Sequence, residues 1–273
     1  MNNEETSTPE LRNPEQIRWD TLRPYLLDPR ENYPEPYYML EYNGVPFSKI
    51  GGMGAMSGQK KNGKSFVITQ LIAAIVGDGC ERVRQFLPGL AVPERTIEYL
   101  GHKPKALYID TEMEEANTIA MKNRVLTMCG RQIDQNYEDF IILMLREAQS
   151  DDEKTSAALQ RWRLTLKALH EYQPTVCFID GLLDVVNDFN SNTECAEIIY
   201  KCMQAATHYG ISLWCLVHQN PGNDKLVGHL GSMLERKVTD IFVTKKEKND
   251  TTGDATFNVH QLKARGRDIP DWK

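Results

Sequence analysis

The phosphate-binding pattern G-x-x-x-x-G-K-[ST], also called Walker A, is satisfied at every position by Gly58-Gln59-Lys60-Lys61-Asn62-Gly63-Lys64-Ser65. Such a loop turns successive backbone N–H groups inward around a phosphate, and Gly63 permits the close approach. The helix that follows points the positive end of its dipole at the same anion. Lys64 is expected to reach the β- and γ-phosphates, and the Ser65 hydroxyl to ligate Mg²⁺. The pattern therefore predicts a nucleoside triphosphate site whose contacts extend to Phe66.

Two acidic residues follow apolar runs that are typical of buried strands. Asp180 comes directly after Val176–Ile179, where a carboxylate can hold the Mg²⁺ shell of a bound nucleotide. An isolated aspartate after a strand often only caps a loop, but its position behind the phosphate loop favours the metal role. Glu112 follows the first predicted strand after the loop helix, within Asp110-Thr111-Glu112-Met113. We expect Glu112 to face the same crevice and to polarise the attacking water, with Asp110 as its rival for that role.

A third polar residue ends the strand predicted at Ile211–Val217. His218, or its neighbour Gln219, is expected to lie beside the phosphates and to sense the γ-phosphate, because ligands bind at the carboxyl ends of parallel strands. A lone histidine after a strand is usually structural. Both interpretations stay open at the level of the sequence.

Strands and helices that alternate along the chain must position these residues. This alternation predicts an α/β fold with a mostly parallel sheet, helices on both faces and an antiparallel hairpin at one edge. The hairpin strands are predicted at Thr239–Thr244 and Thr256–Leu262, around the polar turn Lys248–Asp254. Residues 78–103 are expected to be irregular, and Asp152–Tyr172 to be a helix with an acidic first turn. Further helices are predicted at Phe66–Val76, Glu114–Cys129 and Thr193–Tyr209.

The chain divides by composition into an arm and one large domain. Residues 1–37 are polar and rich in proline, with a single helical candidate at Pro14–Leu26, and are interpreted as a partly flexible N-terminal arm. Residues 38–273 carry every motif described above. A chain of 273 residues is long enough for one α/β domain with a full core.

Charge and cysteine content narrow the classes of function. The net charge of −6 argues mildly against an overall positive electrostatic potential that would attract nucleic acid. A local basic surface is still compatible with this charge. The six cysteines include no C-x-x-C pair, so neither a disulfide framework nor a zinc site is expected. No apolar run is long enough to span a bilayer, and the first residues are acidic. These features predict a protein of the reducing cytoplasm, with no membrane association.

The order of these motifs resembles the RecA-like ATPases. The phosphate loop is followed by a strand with D-T-E, a strand ending in I-D, a strand ending in H-Q and a hairpin ending in K-x-R. Within that group the chain resembles the hexameric helicase branch, namely RepA-type plasmid helicases and the DnaB-type core, over Gly44 to Asp268. The resemblance implies that the nucleotide is ATP with Mg²⁺. It implies that Glu112 is the catalytic glutamate and Asp180 the second metal ligand beside Ser65.

The same resemblance implies roles for residues outside the phosphate loop. His218 matches a polar motif that couples the nucleotide to DNA. Lys263 and Arg265, in Leu262-Lys263-Ala264-Arg265-Gly266-Arg267, match a basic finger that reaches the nucleotide of the neighbouring subunit, with Arg267 as a third candidate. A solvated basic strand end is the alternative. The resemblance also implies contacts to single-stranded DNA through residues 220–232 and through Asp184–Asn192, although the latter segment is acidic.

The function implied is that of a Mg²⁺-dependent ATPase that forms a ring, most simply a hexamer with ATP sites between subunits. It would translocate on or unwind DNA in the replication or mobilisation of a plasmid-like element. Three alternatives stay open. The first is an oligomeric recombinase-like or regulatory ATPase, and the second is a nucleotide-binding assembly subunit with low turnover. The third is a small-molecule kinase, which the D-T-E placement disfavours.

Overall fold

The computed structural model describes residues 19–150, 152–220, 225–248 and 255–273. The chain packs as two compact units, Met1–Glu35 and Pro36–Lys273. In the first unit the described residues form a short helix α1 (Trp19–Leu22) and a 3₁₀ turn (Arg23–Tyr25). Residues 14–18 of the helix predicted at Pro14–Leu26 lie outside the described residues.

The second unit contains two sheets. A seven-stranded sheet has the order β10-β9-β3-β8-β7-β5-β6, and a three-stranded antiparallel sheet has the order β2-β1-β4. All neighbours in the large sheet are parallel except β10, which runs antiparallel to β9. The predicted fold class is therefore confirmed. The strands are β1 (Tyr38–Tyr42), β2 (Val45–Lys49), β3 (Met53–Gly58), β4 (Leu90–Ala91), β5 (Ala106–Asp110), β6 (Phe140–Met144), β7 (Val176–Asp180), β8 (Ser212–His218), β9 (Asp240–Lys248) and β10 (Ala255–Ala264).

Helices cover both faces of the large sheet. Side chains of β5 alternate between two cores: Tyr108 packs with α2 and α5 on one face, and Leu107 and Ile109 pack with α6, α7 and α8 on the other. Burial on both faces explains why the central strands are continuous apolar runs. None of the helices in the described part of the chain is long and apolar enough to cross a membrane. The helices are α2 (Lys64–Val76), α3 (Glu81–Phe86), α4 (Glu94–Leu100), α5 (Glu115–Met128), α6 (Ala157–Tyr172), α7 (Asn192–Tyr209) and α8 (Gly228–Lys237).

The start of α6 differs from the prediction. The helix begins at Ala157 and not at Asp152. The Ser156 hydroxyl caps it by accepting the Leu159 N–H at 3.2 Å. Asp152 instead accepts hydrogen bonds from the Lys154 N–H and the Thr155 hydroxyl in a turn before the helix. The predicted acidic first turn was wrong because a serine closer to the apolar face provides the cap.

Residues 78–103 are more regular than predicted. They contain α3, β4 and α4, and β4 pairs with β1 through Glu41 opposite Ala91 and Tyr42 opposite Leu90. The Thr96 hydroxyl of α4 also donates to the Tyr38 carbonyl oxygen at 2.7 Å. This segment therefore forms a small antiparallel sheet with the first hairpin of the domain.

The segment predicted as a DNA-binding loop, residues 220–232, is partly helical. Residues 221–224 lie outside the described residues, but Gly228–Ser232 form the start of α8. Gly231 packs so closely on Leu226 that an added Cβ would lie 2.4 Å from the Leu226 Cβ. The second half of the predicted loop is therefore the start of a helix, so the loop conformation predicted there was wrong. Its contact with DNA stays a prediction. Residues 249–254 of the predicted hairpin turn also lie outside the described residues.

All six cysteines are free thiols. Five of them are buried, and Cys80 before α3 is partly buried. Burial raises the pKa of the Cys129 thiol to about 11 and also raises the pKa of Cys177. Because the thiolate is the reactive form, buried cysteines of this kind react slowly.

Candidate nucleotide-binding site

The phosphate loop connects the buried strand β3 to α2. Both glycines of the Walker A pattern are needed because neighbouring side chains leave no room for a Cβ atom. Gly63 has φ +86°, in the left-handed region, and an added Cβ would lie 2.2 Å from Cδ1 of Phe257. An added Cβ on Gly58 would lie 2.4 Å from Oγ1 of Thr244. Gln59, Lys60 and Lys61 are exposed at the tip, and the Asn62 N–H donates to the Gln59 carbonyl oxygen at 3.2 Å. The loop leads directly into the first turn of α2, which begins at Lys64.

Lys64 is buried at the base of this loop. Its ammonium donates to the Gly58 carbonyl oxygen at 3.0 Å and contacts Nδ1 of His218 at 3.1 Å. Burial lowers the pKa of Lys64, and the charges of Asp180 and Glu112 partly offset that effect. A buried cation of this kind is held ready for an anion that brings stronger hydrogen bonds.

Ser65, on the first turn of α2, lies close to Asp180 at the carboxyl end of β7. The Ser65 hydroxyl is 3.5 Å from Oδ2 of Asp180, which is only 4% exposed. Burial raises the pKa of the Asp180 carboxyl to about 6, although the Tyr108 hydroxyl donates to its Oδ2 and works in the opposite direction. Mg²⁺ prefers a few oxygen ligands from the protein and completes its octahedron with waters and substrate phosphates. One hydroxyl and one carboxylate beside a phosphate loop fit that requirement.

Glu112 faces the same cavity from the end of β5. Its side chain is 35% exposed, and its Oε1 lies 3.4 Å from Nε2 of His218. The hydrogen bond from His218 lowers the pKa of Glu112 despite partial burial. The cavity, of about 710 Å³, is lined by Lys64, Ser65, Glu112, Asp180 and His218 among others. The structure therefore brings together seven residues that the sequence predicts for the site, these five and Lys60 and Lys61 of the phosphate loop. A larger apolar groove between α6 and α7 is lined by none of them.

Asp110, the rival of Glu112, has a different setting. It is 1% exposed and accepts hydrogen bonds from the N–H groups of Glu112 and Met113, at 3.1 and 2.9 Å, and from the Thr118 hydroxyl. It does not line the cavity. Its carboxylate holds the turn between β5 and α5, and this turn directs Glu112 into the cavity.

Two residues beside Glu112 and Asp180, Thr111 and Asp184, make contacts that the sequence does not predict. The Thr111 hydroxyl lies within hydrogen-bonding distance of the carbonyl oxygens of Asp180, at 2.8 Å, and Gly181, at 3.0 Å, and of Oδ2 of Asp184, at 2.9 Å. Asp184 lines the cavity, and burial raises its pKa. The family resemblance implies that Asp184 belongs to a DNA-contacting segment, and that role stays a prediction. In the structure the Asp184 side chain accepts from the Thr111 hydroxyl, and no local sequence pattern indicates that contact.

Arg146, two residues after β6, also lines the cavity and is not predicted by the sequence. Its guanidinium forms exposed ion pairs with Glu114 at 3.8 Å and with Glu147 at 3.5 Å. Exposed pairs of this length contribute little stability. The only signal in the sequence is its position shortly after an apolar run, and that signal is weak.

An aromatic pair lies beside the phosphate loop. Phe66, on the first turn of α2, is 37% exposed, and its ring centroid is 5.1 Å from that of Phe257 on β10. The Arg124 guanidinium lies 5.9 Å above the Phe66 ring. Phe66 is therefore placed against the hairpin and Arg124, at the rim of the predicted nucleotide contacts.

The predicted finger residues lie at the opposite ends of the strands from the phosphate loop. Lys263 is paired with Ile241 near the amino end of β9, whereas the phosphate loop follows the carboxyl end of β3. The Lys263 ammonium donates to the Glu235 carbonyl oxygen, and the Arg265 guanidinium donates to the Arg236 carbonyl oxygen at 2.7 Å. Arg267 is exposed. Within one chain these side chains do not approach the cavity, and their role in a neighbouring subunit stays a prediction.

The fold and this site together define a P-loop nucleoside-triphosphatase domain of RecA-like architecture. Residues 45–224, more than half of the chain, match the sequence model of the AAA domain family AAA_25. The protein belongs to this family. No curated protein matches the chain.

A solved structure supports the fold independently. The chain is similar to a KaiC-like protein from the hyperthermophilic archaeon Pyrococcus horikoshii OT3, with 12% sequence identity and a TM-score of 0.53. The similarity covers 87% of this chain and 93% of the other. At this level of identity the similarity shows the fold alone.

Proposed function

We propose that this protein is a Mg²⁺-dependent ATPase whose catalytic base is Glu112. The observation that carries the proposal is the convergence of Lys64, Ser65, Glu112 and Asp180 on one cavity at the carboxyl edge of the sheet. Lys64 would bind the β- and γ-phosphates, and Ser65 and Asp180 would hold the ion that neutralises them. The low pKa of Glu112 keeps its carboxylate ionised at neutral pH, as a group that orients and deprotonates water requires.

The test of this proposal compares two glutamates that are two residues apart. Glu112→Gln should retain binding of ATP and lose turnover by about 10²–10⁴-fold, the usual contribution of a positioned base. Glu114→Gln is the matched control, because the Glu114 side chain is 75% exposed and lies outside the cavity lining. Hydrolysis that persists in Glu112→Gln would remove Glu112 from the base role. Loss of turnover in both variants would indicate a general defect of the turn.

We further propose that the protein acts as a ring, most simply a hexamer, with ATP sites between subunits. The support is the separation of the two halves of the predicted site. The phosphate loop follows the carboxyl end of β3, whereas Lys263 and Arg265 lie near the amino end of β9. A head-to-tail contact would bring Lys263 and Arg265 of one subunit to the phosphate loop of the next. Light scattering with and without a non-hydrolysable ATP analogue measures this assembly. A monomer under both conditions would refute the ring.

DNA translocation or unwinding is the finer part of the proposal. Its support is a second cavity of about 680 Å³, lined by Asn190 from the segment after β7 and by Asn220, Lys225, His229 and Arg236 from the segment after β8. Amide and basic groups suit a phosphate backbone. Turnover should therefore rise when single-stranded DNA is added, and the rise should shrink with increasing salt.

A regulatory ATPase that does not act on DNA is the second candidate. Glu235 lines the same cavity, and the chain carries a net charge of −6. Both features disfavour a polyanion. If turnover is the same with and without single-stranded DNA at low salt, while assembly still depends on the nucleotide, the regulatory function is supported and the translocase is refuted.

A further inference from the structure

A buried tyrosine on β5 contacts the carboxylate of the proposed metal site. Tyr108 is 0% exposed, and its hydroxyl donates to Oδ2 of Asp180 on the adjacent strand β7. The two strands are parallel neighbours, and Tyr108 lies opposite Phe178, two residues before Asp180. In the described part of the chain, the Asp180 carboxylate is the only hydrogen-bond partner of this hydroxyl. No motif in the sequence marks Tyr108 as part of the site.

Two hydroxyl groups approach Oδ2 of Asp180 from different elements. Tyr108 is packed in the same core as Phe178 and the helix α2, so its ring cannot move without repacking that core. Ser65 lies on α2, and its hydroxyl is 3.5 Å from the same oxygen, at the outer limit of a hydrogen bond. A phenol keeps its proton at neutral pH and donates, whereas an ionised carboxylate only accepts. Tyr108 is therefore the firmer of the two contacts of Asp180.

This contact fixes the orientation of the Asp180 carboxylate. The last torsion of an aspartate side chain has a broad energy profile, so the carboxylate has no strongly preferred orientation of its own. A hydrogen bond from an immobile donor removes that freedom. Because Tyr108 occupies one lone-pair direction of Oδ2, the other lone pairs of the carboxylate are left for a cation beside Ser65. Hydrogen-bond partners behind a metal ligand commonly orient the ligand in this way.

We propose that Tyr108 is a positioning residue that orients the Asp180 carboxylate towards the Mg²⁺ ion of a bound nucleotide. This inference rests on the proposed ATPase function, because the ion is expected to arrive with ATP. Tyr108 does not line the cavity, so it acts through Asp180 and touches neither the ion nor the nucleotide. It also connects β7, which carries the metal ligand, to β5, which leads to Glu112. One pair of strands therefore places both the ion and the proposed base.

The first test measures, by electron paramagnetic resonance, the affinity of Mn²⁺ for the full chain bound to a non-hydrolysable ATP analogue. Tyr108→Phe removes the hydroxyl alone and should weaken Mn²⁺ binding by about 10–100-fold, the usual cost of losing the partner of a metal ligand. Affinity for the analogue in a chelator should stay at the wild-type value, because no ion is then involved. Tyr137→Phe is the matched control, since the Tyr137 hydroxyl accepts the Gln132 N–H at 3.1 Å outside the cavity lining.

Two outcomes of this test would overturn the inference while the proposed ATPase function stands. The first is unchanged Mn²⁺ binding by Tyr108→Phe with the fold intact by circular dichroism, which would show that the hydroxyl only satisfies a buried donor. The second is an equal loss of affinity for the analogue with and without the metal, since the defect would then not concern the ion. If the wild type binds no analogue under either condition, the proposed function is refuted and the inference falls with it.

The second test keeps the hydroxyl, so it does not depend on how well Tyr108→Phe folds. A fluorinated tyrosine is placed at Tyr108 alone, and its ¹⁹F signal is followed by NMR in the complex with the analogue. Addition of Mg²⁺ should shift the signal, because the hydroxyl shares the Asp180 carboxylate with the ion. The shift should be lost in Asp180→Asn. A signal that ignores Mg²⁺, although Mg²⁺ raises the affinity for the analogue, would overturn the inference, as would an equal shift in Asp180→Asn.

Discussion

Asp180→Asn should make the protein more stable at neutral pH, in the absence of Mg²⁺ and nucleotide, while it removes a proposed metal ligand. Asp180 is 4% exposed, and its oxygen Oδ2 has the Tyr108 hydroxyl and Ser65 as neighbours. Burial raises its pKa to about 6 from an ordinary value of 3.8. The ionised carboxylate is therefore less favourable in the folded protein than in the unfolded chain.

The size and sign of the effect follow from linkage. The difference between about 6 and 3.8 corresponds to about 3 kcal/mol at 1.36 kcal/mol per pKa unit. Because the pKa is higher in the folded state, stability is fully present below about pH 4 and is lost as the pH rises through about 6. Asparagine stays neutral and can still accept from the Tyr108 hydroxyl. The gain in the free energy of unfolding should therefore be roughly half as large at pH 5 as at pH 7.

Thermal and urea unfolding in a chelator, from pH 5 to pH 8, measure this gain. A stabilisation of about 3 kcal/mol raises Tm by about 6–12 °C for a domain of this size. Asp110→Asn is the matched control, because Asp110 is paired in register with Asp180 on the adjacent strand. Its carboxylate accepts two N–H groups and the Thr118 hydroxyl, so the control should lose about 1–3 kcal/mol. The reasoning is refuted if Asp180→Asn is no more stable than the wild type, or if its gain does not change with pH.

Three further predictions concern the loop and its partners. Gly63→Ala should abolish binding of a fluorescent ATP analogue, because the residue has φ +86° and a Cβ would meet Phe257; wild-type affinity would contradict the loop geometry. Thr111→Val should lower kcat by about tenfold with little change in KM, because it removes the hydroxyl that connects the end of β5 to the end of β7. Thr111→Ser keeps the hydroxyl and should restore kcat. An unchanged kcat of Thr111→Val in steady-state assays would exclude a positioning role. Mixing Arg265→Ala with Lys64→Ala subunits should restore part of the turnover if Arg265 acts in the neighbouring subunit; no recovery in intact oligomers would refute the finger.

The sequence predicts the large sheet well because its central strands are buried on both faces. Such strands appear as continuous apolar runs, so Val176–Ile179 and the run before Asp110 can be predicted as strands without knowledge of the strands that pair with them. The placement of Glu112 and Asp180 in one cavity followed from a single rule, that parallel strands present their carboxyl ends at one edge. The catalytic and metal roles of these residues stay predictions.

The features that the sequence did not predict depend on contacts between distant segments. The strand β4 has two residues and exists because it pairs with β1, almost fifty residues earlier along the chain. The contact between Thr111 and Asp184 joins the ends of two strands, and neither residue has a local pattern that marks it. The start of α6 was misplaced because acidic residues and a serine both suit a helix N-terminus. Only the packing of the helix selects Ser156.

The distribution of the thiols makes the protein suitable for site-specific labelling without mutagenesis. Cys80 is the only one of the six cysteines that is not fully buried, so a maleimide dye should attach there first. It follows the C-terminal end of α2, whose 13 residues span about 20 Å from the phosphate loop. A dye at that distance leaves the loop untouched and can transfer energy to a fluorescent nucleotide. The native chain therefore offers an optical reporter of nucleotide arrival and release at a single site.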